Sequence, residues 1–194
     1  MKLLAIYGSP RQNGNTDILL DRAVEGFESA SRAKAARSEA ARLYVRELDF
    51  SPCSECGKCA GTGKCPVKDG MRGVSRLIED SDRMIVSSPV FFYGLPGRLK
   101  SLIDRCQCCW SEKYLVSRGR ENRAVKPGAF ICAGGTGGKN LFEGVKLTIK
   151  YFFDATGFFY QKDLLARKVD GYREILKQPE ILEQAYNLGA GLAK

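Results

Sequence analysis

The chain has 194 residues, eight cysteines, no histidine and a formal net charge of +9. The length fits one domain with a sizeable core, and the lack of histidine excludes Cys–His dyads, histidine-ligated metals and histidine as a general base. Lys and Arg are scattered without interleaved aromatic residues, so we expect a basic surface but no nucleic-acid binding.

The N-terminal residues 1–17 predict a strand, a polar loop and the start of a helix. Residues 3–7 are a short apolar run bounded by Gly-Ser-Pro, which is typical of a central parallel strand buried on both faces. From Thr16 the apolar residues recur at helical spacing. The run is too short for a signal peptide, and no run approaches the roughly 20 residues of a membrane span, so we expect a cytoplasmic protein without membrane contact.

The loop between them, GSPRQNGNT at residues 8–16, predicts a phosphate site. A helix N-terminus presents unpaired N–H groups and the positive end of its dipole, to which polar side chains and an arginine add donors. The loop lacks the Lys-Ser/Thr ending of a P-loop and the GxGxxG of a dinucleotide fold, which favours a monophosphate. The alternative is a polar turn that only caps the helix. The predicted ligands are Ser9, Arg11, Asn13, Gly14, Asn15 and Thr16.

Beyond this helix the pattern is less regular. The Ala- and Arg-rich segment SRAKAARSEAAR, residues 31–42, either extends the helix or forms an exposed excursion. Residues 43–48 alternate apolar and charged side chains and predict an edge strand. After a cysteine-rich loop at 51–68, Asp69 is a candidate N-cap for a helix, and residues 83–87 predict a third strand ending at Ser88-Pro89.

Four cysteines of that loop have the spacing of metal ligands. They follow the pattern Cys53-x2-Cys56-x2-Cys59-x5-Cys65 and precede Pro66. Two-residue spacers bring successive sulfurs to adjacent corners of a cubane, whereas structural zinc usually uses two separated cysteine pairs. The spacing therefore favours a [4Fe–4S] cluster, with zinc or free redox-active thiols as the alternatives.

The second half of the chain continues the alternation of strands and helices. A helix follows the loop VFFYGLPG, and the charged, aperiodic residues 110–123 predict a surface loop. Residues 125–133 predict a fourth strand that ends in AGGTGGKN, residues 158–165 a fifth, and Pro179 the start of the last helix. Five alternations predict an α/β domain with a doubly wound parallel sheet over residues 1–194.

Several of these segments together resemble one family. GSPRxxGNT, SSPVFFYGLPGRLKSLIDR, AGGTGGKN and the compact four-cysteine spacing are similar to the NADPH-dependent FMN reductases and iron–sulfur flavoproteins, which are flavodoxin-like. The resemblance covers nearly the whole chain and implies a three-layer α/β/α fold with strand order 2-1-3-4-5. Two departures are Asp69-Gly70-Met71, where the family often has Asp-Asp-Met, and residues 31–42, which look like an insertion.

The resemblance implies a flavin site at the carboxyl ends of the strands. The loop after the third strand supplies aromatic surface for the flavin ring, and the glycine-rich loop after the fourth strand supplies backbone groups. Their alternative interpretations are core aromatics at a strand end and an ordinary turn before a helix. The predicted flavin contacts are Pro89, Val90, Phe91, Phe92, Tyr93, Gly94, Gly134, Gly135, Thr136 and Gly137.

The implied function is an FMN-dependent oxidoreductase whose [4Fe–4S] cluster, held by Cys53, Cys56, Cys59 and Cys65, exchanges single electrons. A ferredoxin-like carrier or a small-molecule electron acceptor is the expected partner, NAD(P)H is a candidate donor, and the resemblance implies a homodimer or homotetramer. The alternatives are a cluster-free NAD(P)H-dependent FMN or quinone reductase, a redox-sensing binding module and a zinc-stabilised nucleic-acid binder.

Two further groups of residues have structural interpretations. Cys106, Cys108 and Cys109 end an amphipathic helix and lack a fourth partner, so we expect buried or adventitious thiols rather than a second metal site. The aromatic run 151–153 either belongs to the core or contributes to a subunit interface.

Overall fold

The structure is a computed structural model and describes residues 1–35, 37–117 and 125–194. Five parallel strands form one sheet in the order β2-β1-β3-β4-β5, which confirms the predicted flavodoxin-like order. The strands are β1 (Lys2–Tyr7), β2 (Glu39–Tyr44), β3 (Arg83–Pro89), β4 (Lys126–Gly134) and β5 (Phe158–Arg167). The helices are α1 (Asn15–Ala33), α2 (Met71–Asp80), α3 (Gly97–Arg105), α4 (Gln107–Ser111), α5 (Glu143–Thr156) and α6 (Pro179–Leu192).

The core lies on both faces of the sheet because successive strand residues point to opposite sides. Leu4 and Ile6 of β1 face a core built with α2, α3 and α5, whereas Leu3, Ala5 and Tyr7 face a core built with α1 and α6. All five side chains are fully buried. The molecule therefore has the three-layer α/β/α architecture that the sequence predicted.

The second strand lies earlier than the sequence predicted. Residues 43–48 were expected to form it, but β2 runs from Glu39 to Tyr44, and residues 45–47 form a 3₁₀ turn. The backbone of β2 pairs with β1 from Lys2↔Glu39 to Tyr7↔Tyr44, so the ladder decides its position against the helix preference of the Ala- and Arg-rich segment. The prediction of an edge strand is confirmed, since β2 is the last strand on its side. Ala36, within that segment, lies outside the described residues.

The prediction of a surface loop over residues 110–123 is wrong for its first part. Residues 107–111 form α4, which continues into a π-helical turn over residues 112–116. Side chains hold this turn to α5: Lys113 Nζ donates to Asp154 Oδ1 at 2.8 Å, and Tyr114 Oη donates to Asp154 Oδ2 at 2.6 Å. These long-range bonds are invisible to a periodicity argument. Residues 118–124 lie outside the described part of the chain.

The last helix packs unusually close to the first. A Cβ on Gly189 would lie 1.7 Å from the Ala23 carbonyl oxygen, so only glycine permits this approach of α6 to α1. Proline occupies the first turn of α6, as predicted from Pro179. Within the described residues, no helix combines the length and apolar character needed to cross a bilayer.

Candidate functional site

The carboxyl ends of β1, β3 and β4 meet at one edge of the sheet, where a cleft opens between the loops that follow them. Of the predicted phosphate ligands, Asn13 does not line this cleft, whereas Ser9, Arg11, Gly14, Asn15 and Thr16 do. Parallel strands place their following loops side by side, which is why residues far apart in sequence meet here. The remaining lining residues are Pro10, Pro89, Val90, Phe91, Ala133, Gly134, Gly135, Val169, Asp170 and Tyr172.

The start of α1 presents a set of free donors to this cleft. No acceptor among the described residues bonds the backbone N–H groups of Gly14, Asn15 and Thr16. The Thr16 side chain is buried beside them, and Arg11 lies on the rim, where its Nη1 donates to the Asp170 carbonyl at 3.4 Å. Unpaired helix N–H groups with a hydroxyl and a guanidinium match a phosphate group. These residues therefore fit the phosphate end of FMN.

Two of the predicted phosphate ligands have other hydrogen bonds. The Asn15 side chain donates from Nδ2 to the Gly171 carbonyl at 2.9 Å and accepts at Oδ1 from the Ile175 N–H at 3.1 Å. Asn13 has φ of 53° and donates its N–H to Asp17 Oδ2 at 3.1 Å. Of the polar groups of Asn15, its side chain is thus occupied and its backbone N–H is available to a ligand, while Asn13 shapes the loop.

A buried ion pair supports the phosphate loop from below. Arg46 Nη1 lies 2.9 Å from Asp17 Oδ2 and also donates to the Ser9 carbonyl at 3.3 Å. The Asp17 side chain is 3 % exposed and that of Arg46 is 14 % exposed. Burial raises the pKa of Asp17 above its ordinary value, whereas Arg46 lowers it. Sequence reasoning missed this pair because the partners are 29 residues apart on different elements.

The loop after β3 is a tight turn that displays its aromatic residues. Phe91 and Gly94 exchange two backbone hydrogen bonds of 2.9 Å, and the two residues between them, Phe92 and Tyr93, have φ of 47° and 60°. Phe91, Phe92 and Tyr93 are all exposed, so the alternative of core aromatics is wrong. Bulky residues in left-handed backbone cost about 1–2 kcal/mol each. Strained, exposed aromatics beside a cleft are typical of a ligand-binding turn.

The glycine-rich loop after β4 contributes less than predicted, and another loop contributes more. Gly134 and Gly135 line the cleft, whereas Thr136 and Gly137 do not. The segment after β5, through Val169, Asp170 and Tyr172, closes the same side and was not predicted. The rule that ligands bind beyond the carboxyl ends of strands also applied to β5 and was the signal that could have found it.

The cysteine loop lies on a second, separate cavity. All four predicted ligands border this open cavity of about 740 Å³, and no described residue lines both it and the cleft. Cys53 and Cys56 are exposed, and Cys59 accepts a hydrogen bond from Ser111 Oγ at 3.6 Å. Among the described residues, no three Cys, Asp or Glu side chains are gathered closely enough to hold a metal ion.

Arg105 supplies the test of whether this loop suits an iron–sulfur cluster. Its side chain is buried against the cavity, yet no described residue offers an acceptor to its Nε–H. Buried donors in proteins are almost always paired, and the sulfur of the neighbouring Cys65 is a candidate acceptor for this one. Four thiols on one wall and an unpaired cationic donor fit an anionic cluster in charge and chemistry.

Cys106, Cys108 and Cys109 are buried or half-buried thiols, as predicted. Hydrogen bonding with Cys109, followed by burial, raises the pKa of Cys108, and hydrogen bonding with Cys106 raises that of Cys109. Because their pKa values are raised, both thiols stay protonated at neutral pH. Metals bind the thiolate, so this protonation disfavours a second metal site. Of the aromatic run, Phe152 and Phe153 are buried in the core and Tyr151 is 63 % exposed.

The departure at Gly70 has a structural reason. The Gly70 N–H donates to the Asp49 carbonyl at 3.0 Å, and a Cβ at this position would lie 2.6 Å from the same oxygen. The N-cap position of α2 is Gly70 rather than the predicted Asp69, although Asp69 Oδ1 accepts from the N–H of Met71, the first residue of the helix, at 3.1 Å. A side chain at position 70 would push the loop away from residues 48–49.

The chain is similar in sequence to proteins named iron-sulfur flavoprotein. An iron-sulfur flavoprotein of Methanocaldococcus jannaschii is 36% identical over 105 residues, which are 54% of this chain and 51% of that protein. An iron-sulfur flavoprotein of Archaeoglobus fulgidus is 33% identical over 105 residues, 54% of this chain and 45% of that protein. The chain thus spans about half the length of these relatives.

Other relatives carry no iron–sulfur name. A putative NAD(P)H-dependent FMN-containing oxidoreductase of Bacillus subtilis is 29% identical over 138 residues, 70% of this chain and 67% of that protein. The solved NAD(P)H:quinone oxidoreductase from Methanothermobacter marburgensis has the same fold, with a TM-score of 0.77 at 13% identity over 100% of this chain and 96% of that chain. The family model for NADPH-dependent FMN reductase matches residues 1–168. The chain therefore belongs to the NADPH-dependent FMN reductase family.

Proposed function

We propose that this chain is an FMN-dependent oxidoreductase that carries a [4Fe–4S] cluster and exchanges electrons with a one-electron donor such as a ferredoxin-like carrier. The observation that carries the proposal is the pairing of a phosphate-type cleft with four cysteines on one cavity, beside the unpaired Nε–H of Arg105. FMN exchanges one or two electrons and an iron–sulfur cluster exchanges one, so their combination supplies conversion between hydride-type and single-electron chemistry.

In the cleft, the chain's own groups bind and orient the flavin phosphate. The free N–H groups of residues 14–16 and the Thr16 hydroxyl donate to phosphate oxygens, and Arg11 adds a positive charge at the rim. Each charge-assisted bond of this kind contributes about 1.5–3 kcal/mol. The Asp17–Arg46 pair below the loop holds the donors in place before the ligand arrives, which lowers the cost of ordering them.

The aromatic turn covers the ring system. Phe91 lines the cleft and Tyr93 reaches toward the glycine-rich loop, where a Cβ on Gly138 would lie 3.0 Å from the Tyr93 hydroxyl. With FMN bound, the aromatic faces would exclude water from one side of the ring, and the backbone of residues 134–135 would offer polar groups to its edge. The strain at residues 92–93 is consistent with a turn selected for binding rather than stability.

The cysteine loop would hold the cluster through Cys53, Cys56, Cys59 and Cys65. Glycines at 57 and 63 have φ of 70° and 65°, which lets the backbone fold back on itself between the ligand positions. The loop has no helix or strand of its own and two of its thiols are exposed, so the ligands can close around an assembling cluster. This exposure also leaves the site accessible to a protein partner.

We also propose that the protein acts as a homodimer or homotetramer. Apolar side chains remain exposed on α4, the turn after it and α5, including Trp110 at 39 %, Leu147 at 58 % and Tyr151 at 63 %. Exposed apolar patches of this kind often mark protein contacts.

The net charge also bears on the electron partner. A basic protein of net charge +9 would attract an acidic electron carrier. A cytoplasmic location would keep the thiols reduced for cluster assembly.

The experiment that tests the proposal is anaerobic purification followed by a visible spectrum and analysis of FMN, iron, acid-labile sulfide and zinc. About four iron and four sulfide per chain together with one FMN would support it. Bound zinc, or iron below one per chain after anaerobic reconstitution, would contradict the cluster. FMN absent after reconstitution would contradict the cleft assignment.

The second candidate is a cluster-free NAD(P)H-dependent FMN or quinone reductase. It is favoured by the open arrangement of the thiols, no three of which are gathered among the described residues, and by the relatives named for NAD(P)H chemistry. Replacing Cys59 by Ala separates the two functions. NAD(P)H-driven quinone reduction unchanged in Cys59→Ala would favour the cluster-free enzyme, whereas a redox-sensing module would show no turnover in either form.

A further inference from the structure

Arg105 occupies an unusual position at the last turn of α3. Its side chain is 2 % exposed, and its guanidinium bridges the two ends of the cysteine loop. Nη1 donates to the Ser51 carbonyl at 2.6 Å and to Asp69 Oδ2 at 2.6 Å, while Nη2 donates to Asp69 Oδ1 at 3.0 Å. Ser51 and Asp69 are 18 residues apart, and all four predicted ligands lie between them.

The carboxylate of Asp69 completes this clamp. It accepts the Ser51 N–H at 3.2 Å and the Met71 N–H at 3.1 Å, so four donors converge on one half-buried carboxylate. The hydrogen bond from Arg105 is the main cause that holds the pKa of Asp69 below its ordinary value. A bidentate pair of this type is geometrically specific, and lysine cannot reproduce it. The contacts use only groups of this chain, so they fix both ends of the loop before any cluster is present.

The third nitrogen of the guanidinium, Nε, takes no part in this clamp. Arg105 Nε is buried and has no acceptor among the described residues, and both Arg105 and Cys65 line the same cavity. The hydrogen bond with Asp69 is the main cause that raises the pKa of Arg105, and the neighbouring Cys65 sulfur adds to it. A Cys65 thiolate, or a sulfide next to it, would supply the missing acceptor.

We propose that Arg105 is a positioning residue for the cysteine loop: it ties residues 51 and 69 together, and its free Nε–H donates to sulfur at the Cys65 corner of the cluster. The second half of this proposal depends on the proposed function, whereas the first half does not. Hydrogen bonds to cluster sulfurs favour the reduced, more negative state and so raise the reduction potential.

The test uses the full chain and three variants. Arg105→Met removes the clamp, Arg105→Lys keeps a charge without the bidentate geometry, and Lys100→Met is the matched control. Lys100 lines the same cavity from the same helix, but it is half-exposed, and its charged group pairs with Asp104 of that helix at 2.6 Å. FMN content and the far-UV spectrum verify that each variant is folded.

The first readout is hydrogen–deuterium exchange of the metal-free protein over residues 49–71. Arg105→Met should speed exchange of the Ser51 and Met71 amides about tenfold or more, because both bond a carboxylate that loses its anchor. Arg105→Lys should fall between parent and Met, and Lys100→Met should match the parent. Unchanged exchange in Arg105→Met would overturn the clamp, whether or not the protein carries a cluster.

The second readout is the reduction potential of the reconstituted cluster. Arg105→Met should lower the ratio of reduced to oxidised cluster about tenfold at a fixed potential, which for a one-electron couple is a shift of about 59 mV. Lys100→Met also removes one positive charge beside the cavity, but a half-exposed one with no bond to the loop, so its shift should be clearly smaller. Faster exchange with an unshifted potential would overturn the contact to sulfur. Failure of the parent to bind iron would refute the proposed function and with it the sulfur contact, while the exchange data still decide the clamp.

Discussion

Removing Arg46 should expose how strongly the phosphate loop depends on one buried ion pair. Its partner Asp17 is 3 % exposed at the first turn of α1, and in Arg46→Met that carboxylate would remain buried without its 2.9 Å contact. Breaking a buried pair by removing one partner costs about 3–5 kcal/mol. For a chain of this size we therefore expect Tm to fall by about 6–20 °C.

The assay is unfolding of the parent, Arg46→Met and the double variant Asp17→Asn/Arg46→Met at pH 7, by urea for the free energy of unfolding and by heat for Tm. The double variant should recover most of the lost stability because it removes the unpaired charge. Arg22→Met is the matched control, because Arg22 forms a more exposed ion pair with Glu25 on α1, the helix that carries Asp17. Its loss should change the free energy of unfolding by at most about 1 kcal/mol.

The pH dependence gives the sign of the effect. Burial raises the pKa of Asp17 above 3.8 and Arg46 opposes that rise, so losing Arg46 raises the pKa further. When the pKa of a carboxyl group is higher in the folded than in the unfolded protein, its protonated form is compatible with the fold. The free energy of unfolding then falls as pH rises toward the folded pKa and the buried group becomes charged. The deficit of Arg46→Met should thus shrink from pH 7 toward pH 4. A loss below about 1 kcal/mol, or a deficit equal at both pH values, would refute the reasoning.

Four further predictions concern the cleft, the cysteine loop and the surface. Arg11→Ala should weaken FMN binding roughly tenfold to a hundredfold and riboflavin binding much less, measured by fluorescence titration, and equal losses would remove Arg11 from the phosphate site. Cys59→Ala should abolish iron and sulfide binding while FMN stays bound, because the cleft and the cysteine cavity share no described lining residue; loss of both cofactors would show that the two sites are coupled. Phe92→Gly should raise the melting temperature of the flavin-free protein, because it relieves about 1–2 kcal/mol of backbone strain at φ 47° and removes a side chain that is fully exposed. A lower melting temperature would argue against strain in this turn. Reduction by an acidic ferredoxin, followed by stopped flow, should slow steeply between low and physiological salt, where charges are screened beyond about 8 Å, and a flat response would remove the argument from charge.

The elements that the sequence predicted well are those whose local signal and tertiary environment agree. Residues 3–7 are apolar and buried on both faces, and the switch to helical spacing after a polar loop marks the start of α1 within one residue. The strand after Arg83 and the helix at Pro179 likewise begin where predicted. Local punctuation by glycine, proline and polar residues carries this information.

The errors share a physical cause, which is contact between residues distant in sequence. Pairing with β1 places β2 at residues 39–44 although Ala, Glu and Arg favour helix there. Bonds to Asp154 anchor the turn at residues 112–116. In the cleft, Asp170 meets Arg11 across 159 positions, and at the cysteine loop Arg105 reaches Asp69 across 36. Periodicity and motif spacing carry no information about such meetings.

The two hydrogen bonds of the Asn15 side chain connect the cleft to the end of the chain. They join the first residue of α1 to Gly171 and Ile175, which lie after the region matched by the family model and lead into α6. Binding of a ligand that orders the start of α1 and ordering of this C-terminal segment are therefore linked. The free energy by which the ordered segment strengthens ligand binding equals the free energy by which the ligand stabilises the segment. Residues 173–194, beyond the part of this segment that lines the cleft, therefore report on cofactor occupancy. Their amide protection should rise when the cleft is filled, and damage to them should appear as weaker retention of the cofactor.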